Sequence, residues 1–244
     1  MIIESHEKFL DCERHYWQYY KELEREVLST RRYVDFDEEN FSAFSIEYLK
    51  LFQAICSEID AIGKEIAKAL DPSFKSNDRQ NNIFKWWFII QDGIMFPVGD
   101  DKLKGVAIED TEVRFNNDIP IRPWENFRTE LRTQKNGNVR TEVEKGKQVP
   151  EWWKAYNKVK HHRTSMMGAN SNKLNYSRAN LGNVAKAISA LYILETSYMN
   201  ALGTKTDIEA FADHSVLFEK IEYTTSEDIK KMIEENPPRG GIKK

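Results

Sequence analysis

Cysteine is scarce in this chain of 244 residues, with Cys12 and Cys56 the only two. A disulfide framework of the kind that staples small secreted domains is therefore not indicated. Both thiols fall on apolar stripes of predicted helices, where cysteine packs as a small hydrophobe. Long hydrophobic runs are missing as well. No stretch approaches the roughly 20 apolar residues of a membrane span, and Met1-Ile2-Ile3-Glu4-Ser5-His6-Glu7 lacks the basic and apolar regions of a secretory leader. These absences predict a soluble protein in a reducing, cytoplasmic setting with no membrane partner. Gly-x-Gly-x-x-Gly and phosphate-loop patterns are absent, so a nucleotide-binding α/β domain is not indicated. His6 and His15, with Glu7, Asp11 and Glu13, form neither a Glu-x-x-His pair nor a His-Glu-x-x-His motif, and no metal or cofactor is expected. Ser165 and Ser177 lie in no nucleophile elbow. There is no internal repeat and no low-complexity tract.

What is present is a core-forming composition, 40% hydrophobic and 12% aromatic, enough for a packed globular protein. Phe9, Cys12, Tyr16, Tyr19, Leu23 and Val27 recur at steps of three and four, predicting a helix from about Ile3 to Ser29. Phe41, Phe44, Tyr48, Phe52, Ile55, Ile59, Ile62, Ile66 and Leu70 predict a longer one that Asp71-Pro72 ends, and the two are expected to pack antiparallel. The run Ile83 to Ile90 suits a buried helix or a strand, and its helical surroundings favour helix. Between Asp92 and Pro150, glycine and proline punctuate short β-branched fragments, which predicts an irregular insertion that either folds as an excursion with a small hairpin or stays partly mobile near Lys135-Asn136-Gly137-Asn138. Pro150 suits a helix start, and Ser177 is the expected N-cap of a final long helix facing inward with Leu181, Val184, Ile188, Leu191, Tyr198 and Leu202. Weaker patterns suggest helices at 207–218 and 226–233. The expected fold is all-α: one helical domain over 1–244, a bundle of long antiparallel helices, an insertion at about 92–150 and a loose tail at about 236–244.

Chemistry concentrates in Trp152-Trp153-Lys154-Ala155-Tyr156-Asn157-Lys158-Val159-Lys160-His161-His162-Arg163. From Arg122 to Lys186 there are fourteen Lys/Arg against five Glu, a surplus of +9 in a chain of net charge −3, so the remainder carries −12. Such asymmetry suits a polyanion-binding surface or, equally, a solvated face. Trp152, Tyr156, Val159 and Arg163 share one helical face, and Trp153, Asn157, Lys160 and His161 an adjacent one. The His161 imidazole, beside amide and cationic donors, suits general acid–base work on a ribose phosphodiester. Packing offers a simpler account of the same residues, with the aromatics in the core and Asn157 and His161 in helix contacts.

The order Trp-Trp-x-x-Tyr-Asn-x-x-Lys-His-x-Arg, followed by Ala179-Asn180-Leu181-Gly182-Asn183-Val184-Ala185-Lys186-Ala187, resembles bacterial helical proteins of the HEPN superfamily over about residues 150–202. That resemblance implies a helical bundle that dimerises. It also implies metal-independent endoribonuclease chemistry of toxin, antiphage and RNA-processing systems. Laid on the family's motif, Asn157 and His161 match its polar residue and histidine, while Tyr156 stands where the motif has arginine, and Arg163 or Lys160 would have to supply that charge. The resemblance implies His161 and Asn157 as catalytic residues, and Arg163 is added to them by its place on the face of Tyr156. Lys154, Lys158, Lys160 and Arg163 are the expected phosphate contacts, with RNA and a second copy of the chain as partners. The alternative is a helical module that binds nucleic acid, a nucleotide or a partner protein without turnover.

Overall fold

The computed structural model describes residues 6–75, 82–91, 108–168, 170–202 and 215–218. The suggested helix at 226–233, most of that at 207–218, the tail at 236–244 and the first part of the insertion lie outside the described residues. The first predicted helix is α1 (His6–Cys12), a π-helical turn (Glu13–Trp17) and α2 (Gln18–Ser29). The long second helix is α3 (Ile46–Leu70), which Ser45 starts by accepting the Tyr48 N–H on its Oγ. Ile83–Ile90 is helical, α4, capped by the Asn82 side chain. After the insertion come α5 (Glu151–His162) and α6 (Leu181–Leu202).

Helix dominates, but the fold is not purely all-α. Among the described residues two separate antiparallel hairpins form, β1 (Val113–Phe115) with β2 (Ile119–Ile121), and β3 (Thr129–Thr133) with β4 (Val139–Val143). The first turns through Asn116 and Asn117 and the second through Gly137, all at positive φ, where Asn and Gly are the least strained residues. A small hairpin expected within the insertion is thus present, and Lys135–Asn138, the stretch whose other reading is mobility, lies in the turn of the second. A buried amide docks it on the helices: Gln91, just past α4, accepts the Thr129 N–H at 2.9 Å and donates to the Thr129 carbonyl at 2.8 Å.

Packing centres on α3 and α6, the pair in most extensive contact. The N-terminal ends of α3 and α6 are tied by a bridge between Phe44 and Asn180 and by the Leu181 N–H donating to the Ala43 carbonyl. Further along, Glu58 lies in the field of Glu195, and Glu65 in that of Tyr198. The two longest helices therefore run parallel, which corrects the expectation of an antiparallel bundle. A parallel pair needs a long crossover, and residues 71–180, with α4, both hairpins and α5, provide it. The expected antiparallel arrangement does hold between the first helix and α3. Cys12 sits near Glu65 at one end, and Thr30 Oγ1 donates to Tyr48 Oη at 3.4 Å at the other.

Candidate nucleic-acid interface

Pro150 opens α5 by accepting the Trp153 and Lys154 N–H groups on its carbonyl, both at 3.0 Å. Every aromatic of α5 then turns inward: Trp152, Trp153, Tyr156 and the aliphatic Val159 are all buried. Trp152 donates its Nε1–H to the Pro123 carbonyl at 2.8 Å and meets Trp124 edge-on, while Tyr156 meets Phe52 of α3 edge-on. Trp86 and Trp87 join the same aromatic network and donate to Asp60 and to the Phe127 carbonyl. These indoles belong to the core and offer no face for stacking on bases.

The other side of α5 is open to water. Lys154, Asn157, Lys158, Lys160, His161 and His162 are exposed, and so is Arg163 just past the helix end. Their surroundings differ. Lys154 is ion-paired with Glu151 at 2.6 Å, whereas no carboxylate among the described residues pairs with Lys158, Lys160 or Arg163. Lys160 Nζ stands 5.4 Å from the Tyr156 ring centroid, within cation–π range. Asn157 donates its amide to the Trp153 carbonyl one turn back, at 3.1 Å, not to His161. The His161 and His162 rings lie 6.4 Å apart. Arg163 parts from the inward face on which its spacing puts it because α5 ends at His162.

Tyr156 is 6% exposed. Burial, with Cys56 and Asp60 nearby, pushes its phenol up to about 12, so it stays protonated at neutral pH. Cys56 beside it is buried and free, its thiol also raised by burial.

Asn175 sets the chain beyond α5, a role that sequence reasoning missed. Its Nδ2 donates to the His162 carbonyl at 3.0 Å, its N–H to the Ser165 carbonyl at 2.8 Å, and its Oδ1 accepts from Arg178 Nε at 3.0 Å. Together with the Tyr176 N–H on the Arg163 carbonyl at 3.0 Å, this fixes the exit of α5 and the backbone of Arg163. Nothing in the local pattern marks Asn175, since it contacts α5 across a loop.

Several cations counted from sequence are spent inside the fold. Arg122 pairs with Glu112, Arg128 with Glu109 and Glu144, and Arg132 with Glu130 and Glu142. Among the described residues, no group of three or more His, Cys, Asp or Glu is placed to hold a metal ion, and no helix is long and apolar enough to cross a membrane. Compared with protein-family models, curated proteins and solved structures, the chain matches none.

Proposed function

We propose that this is an RNA-directed, HEPN-like protein in which the last turns of α5 hold a phosphate backbone. Lys158, Lys160 and Arg163 are the contacts, with His161 beside them as the acid–base group of a metal-independent endoribonuclease. The observation that carries the reading is the exposed, carboxylate-free cluster of Lys158, Lys160, His161 and Arg163. Three cations near one helix end exceed what is needed to complement its dipole, a term worth about 0.3–1 kcal/mol per charge. Lys160 Nζ over the Tyr156 ring supports the reading by putting an ammonium beside the residue that the resemblance aligns with the arginine. A second copy of the chain would bring two such clusters to one phosphodiester. A toxin or antiphage role belongs to the same proposal.

Binding without turnover is the second reading, and two observations favour it. Tyr156 is buried, and the Asn157 amide is engaged with its own helix. Fluorescence polarisation with a labelled single-stranded RNA tests the binding common to both. The affinity should fall steeply with salt, and Lys158→Ala with Lys160→Ala should lower the log–log salt slope by about 2. No binding at low salt rejects both readings. Incubation with RNA in EDTA separates them: cleavage lost in His161→Ala, with the melting temperature held within a few degrees, supports catalysis, and cleavage that survives in that variant rejects His161. Light scattering with and without RNA tests the dimer.

A further inference from the structure

Glu195 of α6 is 0% exposed, and among the described residues neither of its carboxyl oxygens has a hydrogen-bond partner. Buried polar groups are nearly always satisfied, and an isolated buried charge is strongly disfavoured. The groups that face it are acidic or neutral. From α3 come Glu58 and, close by, Glu65; from α1, Cys12; from the π turn, Tyr16; and from one turn on along α6, Tyr198. The elements α2, α5 and β1 also pack on α6, and no cation of theirs among the described residues pairs with Glu195. No metal-holding group of side chains lies there either.

A carboxyl in this setting is comfortable only when neutral. Ionisation would place a charge in a buried site within the field of Glu58. Of the groups around it, Tyr16, Glu58 and Glu65 are half-buried and so reach toward solvent. Tyr16 sits in the π turn, an element that tends to occur at functional positions. We propose that Glu195 is a proton-binding site built into the core, and that loss of its proton loosens α1 and the π turn from α6, giving the protein an alkaline-sensitive conformational switch independent of the RNA reading.

Burial and Glu58 raise the Glu195 carboxyl well above the ordinary range. The folded state therefore holds a proton that the unfolded chain releases near about pH 4.3. Its stabilising contribution is complete below that value and is lost as pH rises toward the raised one.

The test is urea unfolding of the full chain from about pH 5 to about pH 9, for wild type and Glu195→Gln, which keeps the shape and cannot ionise. The wild-type midpoint should fall with pH, and that of Glu195→Gln should stay level and lie above it at the alkaline end. Hydrogen exchange corrected for intrinsic rate should show the loosening in 6–17 of wild type alone. Two variants that lose stability in parallel would overturn the proposal. So would a Glu195→Gln less stable at every pH, since that would reveal an ionic partner, or a cation retained by wild type and absent from the variant in native mass spectra. Should Glu195→Gln fail to fold, Glu58→Gln decides the matter. Removing the facing charge lets the Glu195 carboxyl ionise more readily, so the fall should be smaller and end at lower pH than in wild type, and an unmoved fall would equally overturn the proposal.

Discussion

Tyr156 and His161 lie on one helix and meet opposite fates. Tyr156 follows Trp152 at the helical repeat and goes into the core, where its ring meets Phe52; His161 falls outside the repeat and faces water. Tyr156 is thereby a packing residue, while the His161 imidazole stays accessible. Close packing also decides the residue at position 63. A Cβ built on Gly63 would come within 2.8 Å of Cε3 of Trp86, and that indole is held by its Nε1–H donating to Asp60 at 3.1 Å. Alanine gains up to about 1 kcal/mol over glycine in a helix interior. Overpacking a fixed ring costs about 1–3 kcal/mol, so Gly63→Ala should be a net loss in urea unfolding. A variant at least as stable as wild type would show that α4 yields and that Trp86 is not fixed.

Elements were legible where one period ran unbroken. The stripes of α3 and α6 are buried as their spacing requires, because regular helix carries the 3.6-residue repeat straight into packing. The first helix departs from its stripe. In the π turn the Gln18 N–H reaches back to the Glu13 carbonyl, and the extra residue moves the buried set from Tyr16 and Tyr19 to Trp17 and Tyr20 before Leu23 and Val27 rejoin it. An inserted residue of this kind has no sequence signature, and the pattern reads plausibly either way. Helix ends were also hard to read. Ser177 donates its hydroxyl to the Leu174 carbonyl inside a short 3-10 turn, and the α6 start is capped instead by Asn180 Oδ1, which accepts the Asn183 N–H at 3.0 Å. Asn180→Ala should therefore lose about 1 kcal/mol in thermal or urea unfolding and Ser177→Ala distinctly less, and equal losses would return the cap to Ser177. For the candidate site, the exposure of Lys154, Lys158 and His161 was legible from the apolar spacing. The place of Arg163 was not, because it depends on where α5 stops and on the distant Asn175.

At the scale of the whole molecule, a carboxylate on α2 holds a segment nearly two hundred residues away. Glu24 is 1% exposed. One of its oxygens accepts the Val216 and Leu217 N–H groups at 2.9 and 3.0 Å, together with the Ser215 hydroxyl and that of Tyr20; the other pairs with Lys21 at 3.0 Å. Beyond this anchor, Phe218 bridges to Phe115 of β1 and stacks on Tyr192 of α6 with ring centroids 4.7 Å apart. The anchor and the ring thus join α2, α6 and the first hairpin through four residues. Glu24→Ala strips two backbone donors and Lys21 of their acceptor and should cost about 3–5 kcal/mol, the range for breaking a buried ionic contact. Phe218→Ala should cost a similar amount through cavity formation. If segment 215–218 docks as one unit, the second substitution acts on a segment already released, so the double variant should lose less than the sum of the singles by at least about 1 kcal/mol. Limited proteolysis should then cut at 215–218 equally fast in all three variants. Additive losses with distinct cleavage rates would show that the anchor and the ring act separately.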